Sequence, residues 1–174
     1  ADEDWTAVTI PHDAMLYEPR HALAASGLNS GWFEGRDYEY VKHFMPERGM
    51  AGSRMLLEFE GVYHHAEVWV NGEKAAFRPY GYTNFYVDLT GRVRFGEDNE
   101  IRVIARNADQ PNSRWYSGAG IYRPVTLWTS PAEHIAVDGL FVRTIAADPA
   151  NGTARIRVEV ETTAAGSVHI EIAD

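Results

Sequence analysis

The sequence predicts an all-β sandwich. Three observations carry that reading. Apolar and polar residues alternate with period two from about Arg36 onward, and turn-forming residues break the alternation at short intervals. In addition, no stretch of about eleven residues or more sustains an apolar stripe at i, i+3, i+4 and i+7. Many short strands with frequent turns pack as two facing sheets, since each strand has one apolar side to bury.

Each strand follows from its own pattern. In residues 38–44, Tyr38, Tyr40, Lys42 and Phe44 share one face, with Val41 and His43 on the other. In 54–60, Met55, Leu57 and Phe59 alternate with Leu56, Glu58 and Glu60. A run over 66–70 leads into Asn71-Gly72, the strongest short hairpin signal in the chain. Further strands are expected over 75–78, 84–89, 100–107 and 125–129. Short helices are expected at 21–26 and near 90–94. Ser130-Pro131 marks a boundary, because proline interrupts a strand ladder. Beyond it the texture changes: Phe141 is the one Phe, Tyr or Trp in residues 133–174. Three strands are expected there, over 135–144, 153–161 and 167–173. Three strands bury one face only against something else, so the segment reads as the start of a second sandwich cut short at residue 174. The expected domains are 1–132 and 133–174.

Composition narrows the function. Twenty-five acidic residues against 16 Lys and Arg give a net charge of −9, a field that repels nucleic-acid phosphates. With no cysteine, disulfides, thiolate metal sites and Cys nucleophiles are excluded. No apolar run reaches the roughly 18–20 residues that span a bilayer, so no membrane partner is expected. Residues 1–5 are polar and carry no leader pattern; the compartment stays open, with the cytoplasm favoured over secretion.

The catalytic motifs are thin. Glu58 and Glu60 share a strand face about 6.6–7 Å apart, against the roughly 5–5.5 Å between the carboxyls of a retaining glycosidase. A solvated strand face explains them as well. His64 and His65, if on a strand, point to opposite faces and cannot chelate one ion without a bulge. His12-Asp13 after Pro11 fits an Asx-type turn better than a ligand set. Ser117-Gly118-Ala119-Gly120 lacks the glycine that precedes the serine of a nucleophile elbow, and Arg123 stands where a dinucleotide loop needs its third glycine. No catalytic residue and no metal site is expected in this chain.

Two loop-like stretches remain, Asn29-Ser30-Gly31-Trp32-Phe33-Glu34-Gly35-Arg36 and Asn112-Ser113-Arg114-Trp115-Tyr116-Ser117-Gly118. Sugars offer C–H faces to aromatic rings and hydroxyls to planar polar side chains. The alternative is that Trp32 and Trp115 fill the core while Arg36 and Arg114 brace the loops through ion pairs. Exposure of the aromatic rings separates the two.

At this point six runs, in order, resemble one known family. They are Ile10-Pro11-His12-Asp13, Leu57-Glu58-Phe59-Glu60-Gly61-Val62, Ala66-Glu67-Val68-Trp69-Val70-Asn71-Gly72, Tyr80-Gly81-Tyr82 with Phe85 and Asp88-Leu89-Thr90, Asp98-Asn99-Glu100-Ile101-Arg102-Val103, and Asn112 through Val125. Together they are similar to the N-terminal domain of glycoside hydrolase family 2, and the run Trp115 to Arg123 has the form found in β-galactosidases more than β-glucuronidases. The resemblance implies a galactose-binding-like jelly-roll β-sandwich, then an immunoglobulin-like β-sandwich, of which residues 133–174 would be the first strands, then a (β/α)₈ barrel. In the family the acid/base and nucleophile glutamates belong to the barrel, which needs about 250 residues and does not fit here.

In the family's β-galactosidases, an asparagine near the start of this domain and an aspartate just before the closing-motif tryptophan touch galactose. Asn29 or Glu34 lies near the first position, and Ser113 or Arg114 occupies the region of the second, where no aspartate stands. The implied substrate-binding set is therefore Asn29, Glu34, Asn112, Ser113, Arg114 and Trp115. The parent would be a retaining β-galactosidase, with β-glucuronidase, β-mannosidase or a free-standing carbohydrate-binding module as alternatives. This chain would be inactive alone and would need no cofactor, any metal ion belonging to the barrel. Its partners would be a β-galactoside or related sugar and its own barrel, in a parent that could be a homo-oligomer.

Overall fold

The computed structural model describes residues 5–172. Nine strands form in the order β1 (Asp37–Phe44), β2 (Arg54–Phe59), β3 (Ala66–Val70), β4 (Glu73–Arg78), β5 (Phe85–Asp88), β6 (Asn99–Arg106), β7 (Val125–Ser130), β8 (Ile135–Asp148) and β9 (Thr153–Thr162). Contacts divide the chain into a larger unit, Ala1–Ala51 with Met55–Thr129, and a smaller one, Gly52–Arg54 with Ser130–Asp174.

In the larger unit a four-stranded sheet, β1-β6-β3-β4, faces a three-stranded sheet, β5-β2-β7. The period-two pattern decides what lies between them. On β6, Ile101, Val103 and Ala105 are buried; on β3, Ala66, Val68 and Val70 are; on β2, Met55, Leu57 and Phe59 are. These side chains form one core with Val62, Val87, Leu89, Val93 and Ile121, and Tyr40 and Phe44 of β1 close its margin. Phe59 stacks on Phe85 at 5.0 Å between ring centroids. Lys42 interrupts the apolar face of β1 between Tyr40 and Phe44, and β1 is an edge strand, where a charge discourages pairing with other chains.

The β3–β4 hairpin turns on Asn71 (φ 50°) and Gly72 (φ 83°), both left-handed as a type I′ turn requires. The Asn71 side chain also donates to Asn99 Oδ1 (2.8 Å) and the Arg92 carbonyl (2.9 Å). Asn99 is fully buried, accepting from the Arg94 N–H and donating to the carbonyls of Arg94 and Glu97. These two amides tie the hairpin to the loop that leads into β6.

Several expectations are corrected. Residues 21–26 form turns, followed by a 3-10 helix at Gly27–Ser30, and 90–94 forms a turn. Further 3-10 turns lie at Ala14–Tyr17 and Arg48–Met50. His64 and His65 lie outside any strand, in the bend that precedes β3, and their rings sit 4.3 Å apart instead of on opposite faces. In the smaller unit β8 pairs with β9 alone. Residues 167–172 form no strand, and Ala173 lies outside the described residues. The alternation there is present, but no described strand pairs with it. Leu140, Phe141 and Val142 are each more than half exposed, so this pair of strands has not buried its apolar side chains.

Candidate functional site

Asp13 organises the end of the larger unit where the irregular segments gather. Its Oδ1 accepts from the Met15 N–H (3.2 Å), which is the Asx-type bond its sequence context predicts, and starts the 3-10 turn there. The same oxygen accepts from the Ala119 N–H (3.0 Å), and Oδ2 accepts from the Tyr116 hydroxyl (2.7 Å). Backbone bonds from His12 N–H to the Ile121 carbonyl and from Ala14 N–H to the Ala119 carbonyl complete the seam. Gly118 (φ 70°) and Gly120 (φ 89°) are what let it close: a Cβ would meet Asp13 Oδ2 at 2.7 Å in the first case and the Tyr40 hydroxyl at 2.0 Å in the second. The run 117–120 is thus a packing device, neither a nucleophile elbow nor a phosphate loop.

The seam brings the two aromatic loops together. Phe33 meets Tyr116 with 5.6 Å between ring centroids, and the Arg20 guanidinium lies 5.2 Å from the Phe33 centroid. Around them Glu18 accepts from Arg36 Nε (2.8 Å) and from the Tyr38 hydroxyl, while Glu34 pairs with His21 Nε2 (2.8 Å) and Arg36 (3.5 Å). Burial, and then the neighbouring carboxylates, push the phenols of Tyr38 and Tyr116 well above the ordinary tyrosine range. Both stay protonated donors.

The second loop stands on a platform of rings. Trp115 is 60% exposed, and its indole N–H donates to the Tyr82 hydroxyl (3.0 Å). Tyr82 in turn packs against Tyr63 and Tyr80, with centroids 5.2 and 5.6 Å away. Trp32 and Tyr116 are 37% and 39% exposed. None of the three is a core residue, so the reading in which the tryptophans fill the sandwich fails.

The six sequence-derived candidates differ in what they leave free. Asn29 is exposed on the 3-10 helix at Gly27–Ser30. Arg114 is exposed and pairs with no described residue, so it braces nothing, whereas Arg36 does. Trp115 presents its ring to solvent. Ser113 caps its own loop by donating to the Trp115 carbonyl. Glu34 is engaged by His21 and Arg36. Asn112 is turned inward: its Nδ2 contacts Asn107 Oδ1 (2.8 Å), the Asp109 carbonyl (2.8 Å) and His64 Nε2 (3.0 Å), and its Oδ1 accepts from the Tyr63 hydroxyl (3.1 Å). Burial, reinforced by the neighbouring His65, holds His64 below the usual imidazole range, which suits an Nε2 that accepts the Asn112 N–H.

Sequence reasoning passed over Tyr63, Tyr82 and Asp13 as members of this end. The run Tyr80-Gly81-Tyr82 was the available signal for the platform, but nothing in its spacing tells that Tyr82 meets Trp115, 33 residues away. No group of three or more potential metal ligands occurs among the described residues.

A four-stranded and a three-stranded sheet with exposed aromatic loops define an all-β sandwich domain. The chain belongs to glycoside hydrolase family 2: residues 8–148 match the family's galactose-binding domain-like module. A β-galactosidase of Bacteroides ovatus is 40% identical over 148 residues, 85% of this chain and 17% of that protein. A putative β-glucuronidase of Formosa agariphila is 30% identical over 160 residues, covering 92% and 15%. The crystal structure of a β-glycosidase from Bacteroides vulgatus superposes with a TM-score of 0.82 at 32% identity, over 91% of this chain and 20% of that one. The chain therefore spans less than a quarter of these relatives, and its all-β, galactose-binding-like architecture is theirs.

Proposed function

We propose that this chain is the non-catalytic N-terminal part of a retaining β-galactosidase, and that its loop end borders the substrate pocket of a catalytic barrel elsewhere in the polypeptide. The observation that carries the reading is Trp115: a large ring, 60% exposed, with its N–H fixed by Tyr82. Exposed rings held in one orientation are suited to stacking on a sugar's C–H face, because little side-chain freedom is lost on binding. Arg114, next to it in the chain, and Asn29, exposed on the 3-10 helix at Gly27–Ser30, keep free polar groups for sugar hydroxyls or the barrel. Asn112, Ser113 and Glu34 act by holding the loops.

The state of the one carboxylate pair singled out in the sequence supports the non-catalytic reading. Glu58 and Glu60 lie at the outer side of the three-stranded sheet, and Glu58 is held ionised by the Asn84 and Trp128 N–H groups. A retaining hydrolase needs one of its two carboxyls protonated as the acid. A β-galactoside is favoured over a β-glucuronide by the Bacteroides ovatus relative's higher identity. Residues 133–174 are read as the first strands of an immunoglobulin-like domain, whose remaining strands would cover the apolar side chains of β8 and β9.

In the complete enzyme, Trp115→Ala is expected to raise KM for a β-galactoside roughly tenfold with a smaller change in kcat, as loss of a binding contact does. An unchanged KM would remove Trp115 from the pocket.

A further inference from the structure

A second constellation lies on the outer face of the β5-β2-β7 sheet. Glu58, Glu60, Tyr82, Thr83, Asn84 and Arg123 line an open pocket of about 440 Å³, within the range of small-molecule sites. Trp128 flanks it. The Trp128 ring is 53% exposed, and its indole N–H donates to Glu58 Oε2 at 2.7 Å. Asn84 Nδ2 donates to Glu58 Oε1 at 3.0 Å. Glu58 is thus a fixed post that orients an indole on one side and an amide on the other.

Two charged groups at the pocket remain unused. Among the described residues neither the Glu60 carboxylate nor the Arg123 guanidinium has a hydrogen-bond or ion-pair partner, although Arg123 rests 5.4 Å from the Tyr122 ring centroid. An open acceptor, an open planar donor and a pre-oriented indole are complementary to a pyranose ring, with hydroxyls at its edge and C–H groups on its face. Glu58, Glu60 and Arg123 together carry a formal charge of −1. A neutral sugar meets no penalty there, whereas a uronate would meet the Glu58 and Glu60 carboxylates along with the Arg123 guanidinium, a net negative surround that weakens its binding.

We propose that this outer-face pocket is a second carbohydrate site, which binds a neutral hexopyranoside unit through Trp128, Glu60 and Arg123 and not through the Trp115 ring. Trp128 supplies the stacking surface, Glu60 accepts from sugar hydroxyls and Arg123 donates to them. The site stands whether or not Trp115 borders a catalytic pocket. The two neighbourhoods share one residue, Tyr82, whose hydroxyl accepts from Trp115.

The test is a residue-resolved NMR titration of the protein with methyl β-D-galactopyranoside, with methyl β-D-glucuronoside as the charged comparison. The indole N–H resonance of Trp128 and the backbone N–H of Thr83 and Arg123 are expected to shift at millimolar neutral sugar and to shift markedly less at the same concentration of the glucuronoside. Arg123→Ala and Trp128→Ala are each expected to weaken the response at Thr83 about tenfold, the usual size for a contact that dominates a small site. Arg123 is exposed, so its removal does not threaten the fold. The proposal is overturned if the Thr83, Arg123 and Trp128 signals do not move with the neutral sugar. It is equally overturned if the two sugars act alike, or if Arg123→Ala leaves the response unchanged.

Discussion

At the scale of single residues, Asp13 and His64 carry the most legible consequences. Asp13 accepts three hydrogen bonds, from the Met15 and Ala119 N–H groups and the Tyr116 hydroxyl. Asp13→Ala is expected to lower unfolding stability by about 2–4 kcal/mol, since net hydrogen bonds are worth about 1 kcal/mol each and charged acceptors more. Urea denaturation checks it. His64 is held neutral by burial, so its folded pKa lies below the value in the unfolded chain. Its contribution is intact above the unfolded pKa of about 6.5 and is lost as pH falls from there through the folded value. The melting temperature should therefore drop on acidification below about pH 6.5, and His64→Gln should flatten that part of the profile. An identical pH profile in the variant would show that His64 does not titrate as described. The sequence made the Asx turn at Asp13 visible, because that bond is local. It hid the bonds to residues 116 and 119, which depend on how a loop a hundred positions later is folded back.

At the scale of elements, the alternation on β2, β3 and β6 was enough to name the buried face of each strand. The reason is simple: a strand's period is two, so one correct position fixes the rest. Phe59→Ala should cost about 3–5 kcal/mol, as removal of a fully buried ring does. The hairpin at Asn71-Gly72 was equally legible from its turn chemistry. What the turn residues did not reveal is that Asn71 reaches Asn99 and Arg92. Asn99→Leu, which leaves the Arg94 N–H and two carbonyls without partners, is expected to destabilise the domain by about 2–4 kcal/mol, measurable by thermal unfolding. The short helices expected at 21–26 and near 90–94 and the strand expected over 167–173, which is absent over the described residues 167–172, were misread for a common reason. Local pattern favours an element, but only packing or a pairing strand stabilises a short one.

At the scale of the whole molecule, the architecture and the family were readable because six runs recur in order along the chain, and each is a structural device. The 10–13 run meets the 118–121 run across the seam, and the 98–103 run supplies Asn99 together with the inward face of β6. The loop end was legible as composition only. Exposed rings and buried rings look the same in a sequence, and it took coordinates to find Trp115 exposed and Asn112 turned inward. The central claim is that this chain positions loops and holds no bond-cleaving machinery. The most direct measurement is hydrolysis of a chromogenic β-galactoside by the purified 174-residue chain. Release of the chromophore no faster than in buffer is the predicted result. Turnover well above buffer that survives repurification would contradict it and place the reacting carboxylates inside this chain.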